Sequence, residues 1–344
     1  MRVLVVNNAA PFIRGGAEEL ADNLVRHLNN VPGVESELLR LPFCWEPSER
    51  LIDEILIHRR FRLWNAERVI ALKFPAYLIP HHQKILWVLH QFRQAYDLGD
   101  AGQGLAAAGR DGEIREIIRT ADNQCFAEAQ AIWANSPVTQ ARMQRYNGVA
   151  SKLLYPPLND GELFVGGEPS DFIFAGGRVG PGKRQHLLIE AMAQVRGRGR
   201  LIVAGPPDNA EYATQLQRLI ETLGLEDRVE LRLGFHTRTQ IAQWVNEAYA
   251  CAYLPFDEDS LGYVTMEAFA AGKAVLTTFD SGGLLEMVND ETGLVKESNV
   301  EALAIGLTEL FENPGRTAEK GRAAHASWGL RRLTWEATLD CLLS

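Results

Sequence analysis

The sequence predicts an α/β protein built from two doubly wound, Rossmann-like units in tandem, and three observations carry that prediction. The chain has 344 residues, whereas a single hydrophobic core stops growing at roughly 250 to 300. Short apolar runs rich in Val, Ile and Leu alternate with longer segments of helical period, the pattern of a parallel sheet flanked by helices. The alternation restarts after Tyr155-Pro156-Pro157, where consecutive prolines can neither continue a helix nor sit in a central strand, so the linker is placed there.

Taken in order, the first half offers strands at Val3–Val6, Glu35–Leu39, Arg68–Ala71, Ile85–Leu89 and Ala131–Ala134. Helices fit between most of them: Gly15–Leu28, with Leu20, Leu24 and Leu28 on one face, and Glu113–Glu128. The second half offers strands at Phe172–Ala175, Leu201–Ala204, Val229–Leu231, Ala250–Leu254 and Ala274–Thr277, with helices near 184–195, 210–223, 238–247, 264–271 and 299–312. A last helical stretch, Leu333–Leu343, carries Trp335, Leu339 and Leu343 at four-residue spacing. In such units ligands bind at the carboxyl ends of the strands, so the loops there are the place to look for chemistry.

Composition narrows the function classes. Hydrophobic residues make up 46% and charged residues 23%, as in a soluble globular protein. A formal charge of −9 argues against nucleic acid as the partner, because phosphate backbones are held by clustered Lys and Arg. Cys44, Cys125, Cys251 and Cys341 have neither disulfide-framework nor zinc spacing, which fits a reducing, cytoplasmic setting. The apolar run Arg2–Val6 ends at Asn7 and reads as a first strand rather than a signal-peptide core, and no stretch approaches the roughly 18 to 20 apolar residues of a spanning helix. Between Leu51 and Arg62, the run His58-Arg59-Arg60-Phe61-Arg62 mixes cations with apolar residues. It could touch anionic lipid at the inner face of a membrane through the N-terminal domain, although such runs also serve as plain solvated helix faces.

Three loops stand out. Asn7 to Glu18 contains Gly15-Gly16 and opens onto a helix, whose free N–H groups favour an anion; an ordinary turn would look the same. The spacing is not GxGxxG, which argues against nicotinamide or flavin. After the strand at Phe172 come Gly176-Gly177-Arg178 and then Lys183, two fixed cations that suit a diphosphate. The most informative segment runs from Phe256 to Gly272: an acidic loop, Asp257-Glu258-Asp259, then Leu261-Gly262-Tyr263-Val264 leading into a helix that carries Glu267. One carboxylate could accept hydroxyl hydrogen bonds from a sugar and the other from a ribose.

Asp259, seven intervening residues and Glu267 resemble the motif of retaining glycosyltransferases of family 4, the group 1 glycosyltransferases. Gly15-Gly16-Ala17-Glu18, Gly177-Arg178 with Lys183, Leu187 to Ala191, Asp280-Ser281-Gly282-Gly283 with Glu286, and Thr292-Gly293-Leu294 follow that family's order. The resemblance implies the GT-B fold, two Rossmann-like domains facing each other across a cleft. Residues 1–157 with 330–344 would form the acceptor domain, carrying the returning last helix, and 158–329 the nucleotide-sugar domain. It implies that Glu267 holds the ribose hydroxyls, that Arg178 and Lys183 neutralise the diphosphate, that Asp259 contacts the transferred sugar, and that His90 lies against the donor sugar. The family more often has Glu where Asp259 stands. Arg93 and Tyr96, just beyond His90, are taken to face the acceptor.

The expected activity is retaining transfer of a hexosyl group from a nucleotide-diphosphate sugar to a saccharide or lipid-linked saccharide, in cell-surface polysaccharide or glycoconjugate synthesis. No metal or other cofactor is expected: Asp257-Glu258-Asp259 imitates an Asp-x-Asp cation site, but fixed cations and helix N-termini already meet the diphosphate charge. Two competing readings are an epimerase or hydrolase on the same fold and a non-catalytic nucleotide-sugar-binding subunit.

Overall fold

The computed structural model describes residues 1–11 and 14–344. The chain divides into two compact units, Met1–Pro157 with Leu333–Ser344, and Leu158–Arg332.

The first unit runs β1 (Arg2–Ala9), α1 (Gly16–Leu28), β2 (Glu35–Pro42), α2 (Arg50–Arg60), β3 (Arg68–Ala71), β4 (Lys84–Val88), α3 (Asp97–Asp100), α4 (Gly109–Glu128), β5 (Ala131–Ala134), α5 (Pro137–Asn147) and β6 (Lys152–Leu153). The second unit runs β7 (Phe172–Gly176), α6 (Gln185–Met192), β8 (Arg200–Gly205), α7 (Ala210–Leu223), β9 (Val229–Leu233), α8 (Arg238–Glu247), β10 (Ala250–Ala252), α9 (Tyr263–Ala270), β11 (Val275–Thr278), β12 (Gly293–Lys296), α10 (Val300–Glu312) and α11 (Pro314–Arg331). The chain then returns to the first unit as α12 (Trp335–Leu343).

Each unit is built on a six-stranded sheet, in the orders β2-β1-β3-β4-β5-β6 and β12-β11-β10-β7-β8-β9. Every described pairing in both sheets is parallel. Parallel strands need crossover helices, and these cover both faces. In the first unit Val3 and Val5 pack with Leu20, Leu24 and Leu28 of α1 and with Trp335 and Leu342 of α12, while Val6 and Leu86 pack with Leu51 of α2 and Ile114 and Ile118 of α4. Trp335 also stacks on His27, with ring centroids 4.5 Å apart. In the second unit Ile173, Leu201 and Val203 pack with Leu188, Leu216 and Leu303.

Strand order fixes where each unit can bind. In the second sheet the chain lays down β7, β8 and β9 outward in one direction, then restarts beside β7 with β10. The loops leaving β7 and β10 therefore part at a topological switch point, the crevice at which doubly wound sheets take ligands.

Several elements differ from the sequence expectation. The α4 helix starts at Gly109, four residues before Glu113, and α11 spans 18 residues where no helix was expected. Its apolar stripe is sparse: the buried positions are Thr317, Lys320, Gly321 and Ala324. The α5 helix was missed although its signals are in the sequence: Ser136 Oγ accepts from the Thr139 N–H at 3.1 Å, Pro137 follows at the first turn, and Gly148 closes the helix at φ +64°. Strands β6 and β12 are two and four residues long. Among the described residues no helix is long and apolar enough to cross a membrane.

One buried acid in the first unit gives a pH prediction. The Asp122 carboxyl is fully buried and accepts hydrogen bonds from Tyr77 and Tyr96 at 2.9 and 2.7 Å. Burial raises its pKa to about 7, against a smaller lowering by the two phenols. The folded state thus keeps a proton that the unfolded chain releases near the ordinary carboxyl value. This contribution to stability is complete below that value and is lost as pH rises toward 7. In thermal melts, Asp122→Asn is expected to gain on the wild type between pH 5 and 7.5; parallel curves for the two proteins would refute the shift.

Candidate functional site

The second unit's switch point is assembled from three loops. Gly177 leaves β7 at φ +101°, and a Cβ there would stand 3.1 Å from Val264 Cγ2, so the β7 loop lies directly against the start of α9. The 3-10 turn Pro181–Lys183 follows, and Arg184 takes a left-handed conformation at φ +54°. That conformation strains a residue with a Cβ, and the guanidinium offsets the strain. It donates to the Leu254 and Pro255 carbonyls, to Thr278 Oγ1 and to both Asp280 oxygens, each at 2.8 Å. Arg184 in turn pulls the Asp280 pKa down to about 2. The β7 loop is thereby fixed to the ends of β10 and β11.

The acidic loop after β10 is pinned on its other side by Asp280-Ser281-Gly282-Gly283. The Asp257 and Glu258 N–H groups donate to the Asp280 and Ser281 carbonyls at 2.8 and 3.1 Å, and the Gly283 N–H donates to the Glu258 carbonyl at 2.7 Å. This backbone ladder presents Glu258 to Lys183, with which it forms an ion pair. The Tyr253 hydroxyl donates to the same carboxylate at 3.2 Å, and Lys183 Nζ lies 5.3 Å from the Tyr253 ring centre. Burial alone would lower the Lys183 pKa; Tyr253 and Glu258 more than reverse this and hold it above the ordinary value.

The α9 helix begins at Gly262, whose φ of +72° and clearance of 2.7 Å between a built Cβ and Tyr253 Cε1 admit only glycine. Leu261 and Val264 are buried, and Tyr263 is half-buried. Asp259 is 8% and Glu267 is 4% exposed. Glu267 Oε1 accepts from Arg238 Nη1 at 2.5 Å, and Arg238 Nη2 donates to the Asn159 carbonyl at 3.0 Å. Thr237 caps α8 and so sets Arg238 on its first turn. Arg178, half-exposed, pairs with Asp208 at 2.8 Å. The structure thus brings Gly177, Lys183, Gly262, Val264 and Glu267 around the two loops of one switch point. Arg238, Arg184, Asp208 and the pairing role of Glu258 were not anticipated. Arg238 is 29 residues from Glu267 and carries no local motif. Among the described residues no group of three or more His, Cys, Asp or Glu is placed to hold a metal ion.

In the first unit, Phe12 and Ile13 of the glycine-rich loop lie outside the described residues. The Gly15 N–H donates to Glu18 Oε2 at 2.9 Å, and Glu18 pairs with Lys73 at 2.8 Å, so the start of α1 at Gly16 carries its own counter-anion. His90 is half-buried beyond β4, with Nδ1 2.7 Å from the Gln91 carbonyl. Arg93 donates through Nε and Nη2 to Asp97 at 2.9 and 2.6 Å, and Arg142 reaches the same carboxylate at 3.3 Å. Tyr96 corrects the sequence expectation: it is 1% exposed with its hydroxyl committed to Asp122, which makes it a core residue and not an acceptor contact.

Comparison with known proteins agrees with this architecture. Residues 165–326 match the family model described as glycosyl transferases group 1. The D-inositol 3-phosphate glycosyltransferase of Mycobacteroides abscessus is 33% identical over 170 residues, 49% of this chain and 37% of that protein. Its namesake in Mycolicibacterium smegmatis is 26% identical over 275 residues, 75% of this chain and 62% of that protein. The matched part therefore spans less than two thirds of these relatives. Among solved structures, Anabaena HepE in complex with UDP and glucose superposes with a TM-score of 0.74 at 18% identity, covering 100% of this chain and 98% of that one. Sucrose-phosphate synthase from Thermosynechococcus elongatus gives 0.76 at 18% identity, covering 98% and 96%. At such identities the likeness is one of fold, and the two parallel six-stranded sheets are those of GT-B proteins. Residues 165–326, nearly all of the second unit, belong to the group 1 glycosyl transferases.

Proposed function

We propose that the protein transfers a hexosyl group, with retention of anomeric configuration and without a metal, from a nucleoside-diphosphate sugar to a saccharide or lipid-linked saccharide acceptor. The observation that carries this reading is the second unit's switch point, where a fixed lysine, a glycine-opened helix start and a buried carboxylate meet on two adjoining loops. Lys183, Arg178 and the N–H groups from Gly262 to Val264 hold the diphosphate, Glu267 the ribose and Asp259 the sugar. As the sugar–phosphate bond breaks, charge grows on the leaving oxygen, and donors fixed in advance stabilise it without reorganisation. The departing phosphate then serves as base for the incoming hydroxyl. The first unit takes the acceptor, with His90 on the donor-sugar side and Arg93 on the acceptor side. Cell-surface polysaccharide or glycoconjugate synthesis at the cytoplasmic face of a membrane is the setting that such acceptors imply.

HepE was solved with UDP-glucose, which makes that sugar the first donor to try. The test incubates the protein with UDP-, GDP- and ADP-sugars, with and without saccharide acceptors, and follows both nucleotide release and product. Nucleotide release that requires an acceptor, with an α-linked product from an α-donor, is the expected result. Donor consumption without acceptor would instead assign a hydrolase or epimerase. One observation favours a second reading: Asp259 is one methylene shorter than the Glu usual in the family. Donor binding without transfer, with transfer gained by Asp259→Glu, would assign a binding subunit.

A further inference from the structure

The outer face of α2 carries a pattern that packing within the first unit does not use. Leu51, Ile55 and His58 are buried on the inner side of the helix. On the opposite side Leu56 and Ile57 are 57% and 52% exposed, with Asp53 a turn before them and Arg60 a turn after, both exposed as well. Seven residues make nearly two helical turns, so Asp53 and Arg60 lie on one line of the helix with the apolar pair between them. The charges beside them are engaged within the chain: Glu54 accepts from the Cys44 N–H at 3.3 Å, and Arg59 donates twice to Glu128 at 2.6 and 2.7 Å. Among the described residues neither Asp53 nor Arg60 is in an ion pair. Leu56, Ile57, Arg60 and Phe61 line a hollow of about 490 Å³, and Trp64, just past the helix, is 89% exposed. Scattered exposed apolar residues are normal on a soluble protein, but large ones grouped in this way mark a contact surface.

We propose that this face pairs with the same face of a second copy of the chain, the two α2 helices running antiparallel about a two-fold axis between Leu56 and Ile57. Charge selects both the occupant and the direction. In the antiparallel pair Leu56 stands level with the partner's Ile57, and Asp53 level with the partner's Arg60. Two opposite-charge contacts thus flank an apolar centre, and the stripe is its own complement, as an isologous interface requires. A parallel pair would instead set Asp53 against Asp53 and Arg60 against Arg60. Phe61 and Trp64 extend the apolar surface over the first turn of the partner helix, and aromatic residues and arginine are the types enriched in such interfaces. One helix face with its flanking aromatics is smaller than the roughly 1,200–2,000 Å² of stable complexes, so the dimer is weak, with a dissociation constant on the order of tens of micromolar. The inference goes beyond the transfer reading and does not depend on it.

Sedimentation velocity of the full chain without ligand, from about 1 to 200 μM, is the test. The wild type is expected to move from monomer to dimer across that range. Asp53→Arg alone and Arg60→Asp alone each place like charges opposite one another twice, and each should weaken association by about tenfold or more. The double exchange Asp53→Arg, Arg60→Asp restores opposite charges and should recover most of the wild-type association. That recovery is specific to self-pairing, since neither a lipid surface nor an unrelated protein supplies the exchanged partner. Leu56→Ser with Ile57→Ser removes the apolar centre and should leave a monomer. All four side chains are exposed, and thermal melts like the wild type's check that each variant folds. A wild type that stays monomeric at every concentration overturns the proposal. So does a dimer that both single charge variants leave unchanged, or a folded double exchange that associates no better than the single variants.

Discussion

Lys183→Ala is expected to lower turnover at saturating donor by about a hundred- to a thousandfold, the usual cost of removing one preorganised donor from a developing oxyanion. The geometry behind this is specific. Lys183 closes the 3-10 turn after β7, and the adjacent Arg184 fixes that turn to the ends of β10 and β11, so the ammonium is held in place before any ligand arrives. With its pKa above the ordinary lysine value it stays charged across the working range of pH, so the deficit should be flat from pH 6 to 9. Glu258 sets the opposite sign. Its carboxylate neutralises Lys183 in the structure, and a diphosphate must share or displace it. Glu258→Gln is therefore expected to tighten nucleoside-diphosphate binding several-fold, by roughly the 1 kcal/mol of a partly exposed pair. Calorimetric titration reads the second variant and steady-state kinetics the first. Equal turnover of Lys183→Ala and wild type would remove Lys183 from the reaction.

Glu267→Gln should reduce nucleoside-diphosphate affinity by about ten- to a hundredfold, the equivalent of one to two hydrogen bonds to a charged group. The substitution keeps the side chain's shape and removes its charge, while Arg238 retains the Asn159 carbonyl. A cycle with dideoxyribose nucleotide separates recognition from packing. If Glu267 binds the ribose, wild type and variant should hold the dideoxy ligand equally; if both ligands lose the same factor, the carboxylate acts through Arg238 alone.

How much of this could be read in advance depended on how local each signal was. β1 and β7 are runs of apolar residues ending in a polar or glycine loop, and β10 leads into the 259–267 spacing that sets Glu267 in α9. These features were legible because a few consecutive residues define them. Lys183 and Glu258 are 75 residues apart, and Arg184 and Asp280 are 96 apart, so only the sheet order brings them together. Tyr96 misled for the same reason: it follows His90 closely in sequence, yet its partner is Asp122 on α4, 26 residues away. Asp280-Ser281-Gly282-Gly283 was recognised as a pattern, but its work as the ladder that fixes the acidic loop appeared only with the backbone hydrogen bonds.

The placement of the donor on the second unit is tested most directly by amide hydrogen exchange of the full chain with and without saturating nucleoside diphosphate. Slower exchange is predicted in 177–184 and 258–267, the two loops of the β7–β10 switch point, with Glu267→Gln losing most of that protection. Protection absent from both segments, at a nucleotide concentration that demonstrably saturates the protein, would contradict the assignment.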